Sequence, residues 1–301
     1  MDHREFIKTL PRGDLAGLRQ RADGPGLRHL AGHLGLIALT GTWIGFGWPL
    51  WQIALLPHGI ALCFLFTLSH ETTHRTPFET AWMNEWAGRM AGLPILLPFE
   101  WFRHFHLAHH KFTNIPGKDP ELLAGGKPET WFDFALYLSG WRYWSGMIGQ
   151  VLQSAADASP DTYVPSAARP LVVFEARIYI GLYALALLSL FFSPLMLWIW
   201  VLPVLIGQPF LRLYLLAEHG RCAFATNIFD NTRTTYTNRM VRFLAWNMPY
   251  HVEHHALPQV PFHKLPELHD LMQGRHTHLS PSYAAFSAEF IKDLRPSKPS
   301  V

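Results

Sequence analysis

Hydrophobic and polar positions in this chain fall in long blocks instead of short alternations. Positions 29–70 run for 42 residues without an Asp, Glu, Lys or Arg, and positions 178–211 run for 34. A membrane-spanning helix needs roughly 20 apolar residues, so each block predicts a helical hairpin. The first would turn near Gly47-Trp48-Pro49 and the second at Ser193-Pro194. A single long buried helix is the competing reading of the first block, but a hairpin spans the same residues more economically. The expected fold class is an all-α integral membrane protein, with four transmembrane helices in two hairpins beneath a cytoplasmic helical cap.

Charge placement orients these elements. Of the 25 Lys and Arg, six lie in 1–28, eight in 71–170 and ten from Arg212 onward, with Arg177 opening the third span. Neither hairpin turn carries one. By the positive-inside rule this predicts a cytoplasmic segment 1–28, a hairpin 29–70, a cytoplasmic or interfacial segment 71–174, a hairpin 175–216 and a cytoplasmic segment 217–301. A bacterial inner membrane, with the chemistry on its cytoplasmic side, is the expected location. Within the central segment, 81–101 is apolar but carries Glu85, Arg89 and two prolines, so it reads as shallowly inserted. The aromatic run 131–153 reads as an amphipathic helix lying on the membrane surface or packed against the cap.

Composition agrees with a membrane protein. The chain is 49% apolar and 16% charged, against a typical charged fraction of ~25%. Its net charge of +3 forms no basic stripe with interleaved aromatics, so nucleic acid is not an expected partner. Cys63 and Cys222 offer no disulfide framework and suggest a reducing compartment. No apolar core with a small-residue cleavage site follows the polar start, so no cleaved leader is expected.

The candidate chemistry is imidazole. His70 and His74 stand at i and i+4 directly after the first block, and two H-x-x-H-H sets follow, His106-His109-His110 and His251-His254-His255. On a helix, positions three and four apart share a face, so each set can converge on a point. Neutral imidazole suits iron, zinc, copper and nickel. Eight such rings exceed one tetrahedral site and suffice for two ions. His70-Glu71-Thr72-Thr73-His74 also satisfies H-E-x-x-H, the helical signature of a zinc protease. That reading leaves both H-x-x-H-H sets unexplained and finds no Asp or Glu in the predicted spans. A histidine-lined metal carrier would want ligands across the bilayer, where only His58 sits mid-span.

The ordered triple of histidine sets resembles the three boxes of the membrane fatty acid desaturase and hydroxylase superfamily. Phe102-Arg103 before the second box, Thr113-Asn114-Ile115-Pro116 and Asp119-Pro120-Glu121 after it, and Ala256-Leu257-Pro258 after the third look like the bacterial acyl desaturases and carotenoid ketolases. The likeness spans residues from about 50 to 270.

The resemblance implies a non-haem site of two irons using O2 as co-substrate, to remove hydrogen from an unactivated C–H bond. It implies His70, His74, His106, His109, His110, His251, His254 and His255 as ligands, with His219 as a ninth. Glu71, Glu218 and Glu253 stand beside ligands and are candidates to orient their N–H groups; simple solvation is the alternative for each. Arg103 and Asn247 are weaker candidates of the same kind. His104 is expected on another face, and His29, His33, His58, His263, His269, His276 and His278 are expected to be structural. No His-Pro-Gly-Gly, four-cysteine cluster or dinucleotide fingerprint is present. Electrons would therefore come from a separate ferredoxin, rubredoxin or flavin reductase. The expected reaction is desaturation of a fatty acyl chain; hydroxylation or ketolation of a lipid, carotenoid, alkane or small amino-acid-derived substrate is the alternative.

Overall fold

The computed structural model describes residues 1–296, which are predominantly helical. The short α1 (His3–Thr9) and α2 (Arg12–Leu18) precede α3 (Asp23–Gly45). The chain turns where Gly47 and Leu50 both take positive φ, and α4 (Trp51–Cys63) follows, continued past Phe64 by α5 (Leu65–Thr73). Next come α6 (Ala81–Gly92), α7 (Phe99–Phe112), the single turn α8 (Pro120–Leu123), α9 (Trp131–Leu138) and α10 (Trp141–Ala155). The second apolar block forms α11 (Arg169–Ser189) and, after the turn at Ser193-Pro194 and a π-helical stretch, α12 (Leu202–His219). The remainder comprises α13 (Ile228–Asn231), α14 (Arg239–Leu244), α15 (His251–Ala256), α16 (Leu265–Leu271) and α17 (Tyr283–Lys292). A two-residue parallel pairing, β1 (Thr234–Thr235) with β2 (Leu279–Ser280), ties the last part together.

Among the described residues, three helical stretches are long and apolar enough to cross a membrane: Trp51–Thr73, Arg169–Ser189 and Leu197–His219. The expected first span lies in α3, which is long enough but is not among the three. Its apolar positions are interrupted by His29, His33, glycines and threonines. His33 is fully buried, its Nε2 2.9 Å from the Ala61 carbonyl and its Nδ1 accepting from Trp246 Nε1 at 3.2 Å. Polar side chains spent on such internal contacts lower the helix's mean hydropathy without exposing polarity to lipid.

The single helix expected over 131–153 is two helices. Gly140 separates α9 from α10 at φ +72°, and a Cβ there would stand 2.5 Å from Gln208 Cγ. The left-handed conformation and the close approach of α12 both demand glycine. Trp131, Phe132 and Trp141 remain exposed, whereas Phe134 and Tyr137 pack against the cluster around Leu216 and Phe290. Segment 81–101 likewise divides into α6 and the start of α7. There Arg89 pairs with Glu100 and Glu85, and Arg103 donates to Glu85 at 2.6 Å.

The contact that organises the apolar helices is α4 on α12. A Cβ on Gly59 would lie 2.0 Å from the Pro203 carbonyl oxygen, and one on Gly207 would lie 2.2 Å from the Gly59 carbonyl oxygen. Two bare backbones thus touch, and small residues at a crossing are what let helices pack in lipid. From this crossing both stretches run the same way, to His70 and to His219. At ~1.5 Å per residue each climbs about 17 Å, so the crossing sets the spacing of the two ends. Gly207→Val is expected to force the helices apart at a cost of about 1–3 kcal/mol and lower the unfolding midpoint of detergent-purified protein by several degrees. Gly35→Ala, at a position with nothing near the added methyl, is expected to leave it unchanged; differential scanning fluorimetry separates the two outcomes.

Candidate metal centre

Four elements end at one place. The end of α5 carries His70 with His74 as its C-cap, α7 carries His106, His109 and His110, α12 closes on His219, and α15 carries His251, His254 and His255. Their rings form two groups. His70, His74, His106, His110 and His254 bring one nitrogen each within 4.8 Å of one another, as do His109, His219 and His255. His251 joins the second group, its Nε2 lying 3.2 Å from His219 Nε2. The groups abut where the His110 and His255 rings stack at 4.0 Å and 4°.

Each H-x-x-H-H set is therefore shared between the groups instead of converging on one point. On a helix, residues four apart differ by about 40° in direction and residues three apart by about 60° the other way. The i, i+4 pairs stay together: His106 with His110 in the first group, His251 with His255 in the second. The i+3 members, His109 and His254, cross to the opposite group. His70 with His74 adds a third i, i+4 pair to the first group, and His219 supplies a lone ring to the second.

Whether these residues fit metal ions can be tested on their outer nitrogens. His109 Nδ1 lies 2.9 Å from Asp119 Oδ1, and His219 Nδ1 lies 3.1 Å from the Asn231 carbonyl. Thr113 Oγ1 donates to the His109 carbonyl at 2.9 Å and so accepts from His255 Nδ1 at 3.1 Å. His251 Nδ1 lies 3.3 Å from Glu218 Oε1. The partners of His109, His219 and His255 are acceptors, which assigns the proton of those three rings to Nδ1 and leaves their Nε2 as lone pairs, whereas His251 Nδ1 makes no hydrogen bond to Glu218. Yet His109 Nε2 and His219 Nε2 are 3.2 Å apart. Lone pair facing lone pair in a buried site is unfavourable unless a cation lies between them. A spacing near 3.2 Å suits two ligands of one ion with metal–nitrogen bonds of about 2.1 Å. In the first group His74 Nε2 and His106 Nε2 stand 2.9 Å apart, while His110 Nε2 and both nitrogens of His254 are buried without a hydrogen-bond partner. The donor set fits metal in both groups.

Burial keeps the rings in the required form. It pushes His74 down to about 3 and holds His106, His110, His251, His254 and His255 well below the usual histidine value. His109 departs in the other direction: burial lowers it, but Glu121 and Asp119 together outweigh burial and raise it. A positive charge is thus favoured at the second group.

The three candidate carboxylates diverge. Glu71 is fully buried; its Oε1 accepts from Thr76 Oγ1 at 2.7 Å and from the Phe262 N–H at 2.9 Å, and its Oε2 lies 3.8 Å from His254 Nδ1. Glu71 and Glu218 thus lie beside Nδ1 of His254 and of His251 without a hydrogen bond to either ring. Held this way, Glu71 is not disposed as the free base of an H-E-x-x-H protease. Glu253 does not stand behind a box ring. It lies between His251 and His254 on α15 and reaches the other way, to His269, His276 and Thr234 Oγ1. His269 and His276 are accordingly its partners, tethering α15 to the chain beyond it. Arg103 serves the Glu85 ion pair, and Asn247 donates to the Phe262 carbonyl at 3.1 Å. His104 belongs to neither group, while His58 is satisfied by Thr40 Oγ1 and the Ile199 carbonyl. Sequence reasoning missed Asp119, Thr113 and Asn231 as the partners of ring N–H groups. Asp119 and Thr113 lie in the stretch after the second box, while nothing local marked Asn231.

Two outcomes follow. Asp119→Asn, which removes the charge behind His109, is expected to weaken metal binding about 10–100-fold without unfolding the protein, measured by competition with a chelator of known affinity. Burial alone would raise Glu253, but hydrogen bonds from His269 and His276 pull it down to about 2. A carboxylate depressed from ~4.3 contributes on the order of 3 kcal/mol, present above the unfolded value and lost as pH falls toward 2. Glu253→Gln is thus expected to destabilise the protein at pH 7 and to differ little from the parent near pH 2, measured by denaturant unfolding at the two pH values.

Comparison with known proteins places the chain. The fatty acid desaturase family model matches residues 46–286. An sn-1 oleoyl-lipid 12-desaturase of Arthrospira platensis is 24% identical over 287 residues, covering 87% of this chain and 78% of that protein. A sphingolipid delta(4)-desaturase/C4-monooxygenase DES2 of Mus musculus is 25% identical over 291 residues, covering 91% and 79%. Sphingolipid delta(4)-desaturase DES1 of Homo sapiens is 29% identical over 209 residues, covering 65% and 58%. With a family match over most of its length, three apolar helices and two imidazole clusters, the chain belongs to the fatty acid desaturase family and is a membrane oxidoreductase of lipid metabolism.

Proposed function

We propose that the protein is an O2-dependent desaturase of long acyl chains in membrane lipids, with two irons held by nine histidines. His70, His74, His106, His110 and His254 would hold one iron, and His109, His219, His251 and His255 the other. The observation that carries this reading is the convergence of buried Nε2 atoms in the second group, where His109 and His219, with acceptors behind both Nδ1 atoms, face each other at 3.2 Å and a bound cation relieves the crowding of lone pairs. When bound, the two irons supply the O2 chemistry that removes hydrogen from an unactivated C–H bond. The protein's own part is to fix ring direction through Asp119, Thr113 and Asn231 and to keep water from the buried rings.

Placement favours an apolar substrate. His70 and His219 terminate apolar stretches, so the site meets the membrane boundary at one end. We take α3 to be a fourth span pairing with Trp51–Thr73, with Arg169–Ser189 and Leu197–His219 as the second hairpin. The boundaries 1–28, 29–70, 71–174, 175–216 and 217–301 follow, with every histidine box on the cytoplasmic face of a bacterial inner membrane. Electrons would arrive on that face from a separate ferredoxin, rubredoxin or flavin reductase. The relatives named for oleoyl-lipid and sphingolipid substrates support an acyl lipid. The mouse relative's name joins a desaturase to a monooxygenase, which makes hydroxylation of the same chain the second reading.

Detergent-purified protein is expected to carry about two metal ions per chain and His254→Ala fewer, measured by elemental analysis. Lipid profiling of cells expressing the parent should show new double bonds that are absent with His106→Ala or His254→Ala, both variants still inserting into membranes. One zinc per chain, indifferent to His254, would overturn this reading in favour of a protease.

A further inference from the structure

The second imidazole group is bordered by α8. Asp119 caps that single turn by accepting the Glu121 N–H at 2.9 Å, and the same oxygen faces His109 Nδ1 at 2.9 Å. Its other oxygen accepts the Asn114 N–H at 2.6 Å. One carboxylate thereby fixes both the His109 ring and the backbone that carries Glu121. Glu121 Oε1 comes within 3.9 Å of His109 Nε2, while its Oε2 lies 3.6 Å from Lys127 Nζ.

An ion pair with a doubly protonated His109 is one account of this placement, and a metal ion shared by the two side chains is the other. With the His109 proton on Nδ1, facing Asp119, its Nε2 is a lone pair, so Glu121 presents an acceptor oxygen to an acceptor nitrogen. Two donors bound to one ion at about 2.1 Å stand at most ~4.2 Å apart, so 3.9 Å lies within the span of a shared ion. A carboxylate beside converging lone pairs adds a negative charge where only a cation relieves the crowding of acceptors.

We propose that Glu121 is a ligand of the second metal ion, giving that site four imidazoles and one carboxylate, with Lys127 holding the far oxygen. The proposal rests on the dinuclear reading above. The first group contains five imidazoles and no carboxylate, so the two ions would sit in fields of different charge: one wholly neutral, the other carrying one negative ligand. The ions would then be chemically distinct, with the carboxylate side favouring the more highly charged ion.

The test is titration of cobalt(II) alone into the metal-stripped, detergent-purified full-length protein, followed by the visible absorption of the bound ions. The parent should bind two. Glu121→Gln should bind the first with parental affinity and the second about 10–100-fold more weakly, with an altered spectrum for that ion only. Lys127→Gln should retain both within a few-fold. Parental binding of both ions by Glu121→Gln overturns the proposal. So does an equal loss in Glu121→Gln and Lys127→Gln, because the pair would then merely hold α8 in place. Should Glu121→Gln fail to fold, Glu121→His restores a donor; two bound cobalt ions support the proposal and one refutes it. A parent that binds fewer than two ions fails the dinuclear reading itself, an outcome distinct from these.

Discussion

Nine buried imidazoles packed so that their ring nitrogens converge in two groups is the constraint on which the rest of the structure depends. Each ring costs free energy to bury, and its N–H must find an acceptor. In the second group Asp119, Asn231 and Thr113 supply those acceptors for His109, His219 and His255, which turns their Nε2 atoms inward. The proposed ions would relieve the crowding of these inward nitrogens. Metal binding and folding of the cap would then be linked, since an ion contributes binding free energy only to the folded arrangement.

The architecture is what lets helices far apart in sequence meet that constraint. Bare backbone contact at Gly59 and Gly207 brings α4 and α12 together, and both continue for about three turns before presenting His70 and His219. Helices α7 and α15 then interleave. Each sends an i, i+4 pair to one group and its i+3 ring to the other, so the groups are cross-linked by two helices and by the stacked rings of His110 and His255. Losing α7 or α15 would open both groups, because each contributes rings to both.

Carboxylates near the centre divide by the direction of their helix face. Glu71 and Glu218 follow or precede a ligand by one residue yet lie beside rings contributed by another helix, His254 and His251. Glu253, adjacent to a ligand in the same sense, serves the opposite purpose and anchors α15 through His269 and His276. Adjacency in sequence puts a side chain roughly 100° away on a helix, so what lies there is decided by the neighbouring elements.

The residues by themselves determined the chemistry and the plan. Charge-free blocks marked α4, α5, α11 and α12, because apolar length is a local property that a bilayer reads directly. The spacing of the histidine sets marked eight candidate ligands, enough for two ions, because helical periodicity is also local. Tertiary structure alone decided how each H-x-x-H-H set is shared, that Asn231 and Thr113 back the rings, that Glu253 points away, and that Gly140 breaks the aromatic helix against Gln208. These depend on contacts between separate elements, from 12 residues apart for His219 and Asn231 to 142 for Thr113 and His255. No helical periodicity names both partners, and the direction in which a side chain finds its acceptor is set only once the helices have packed.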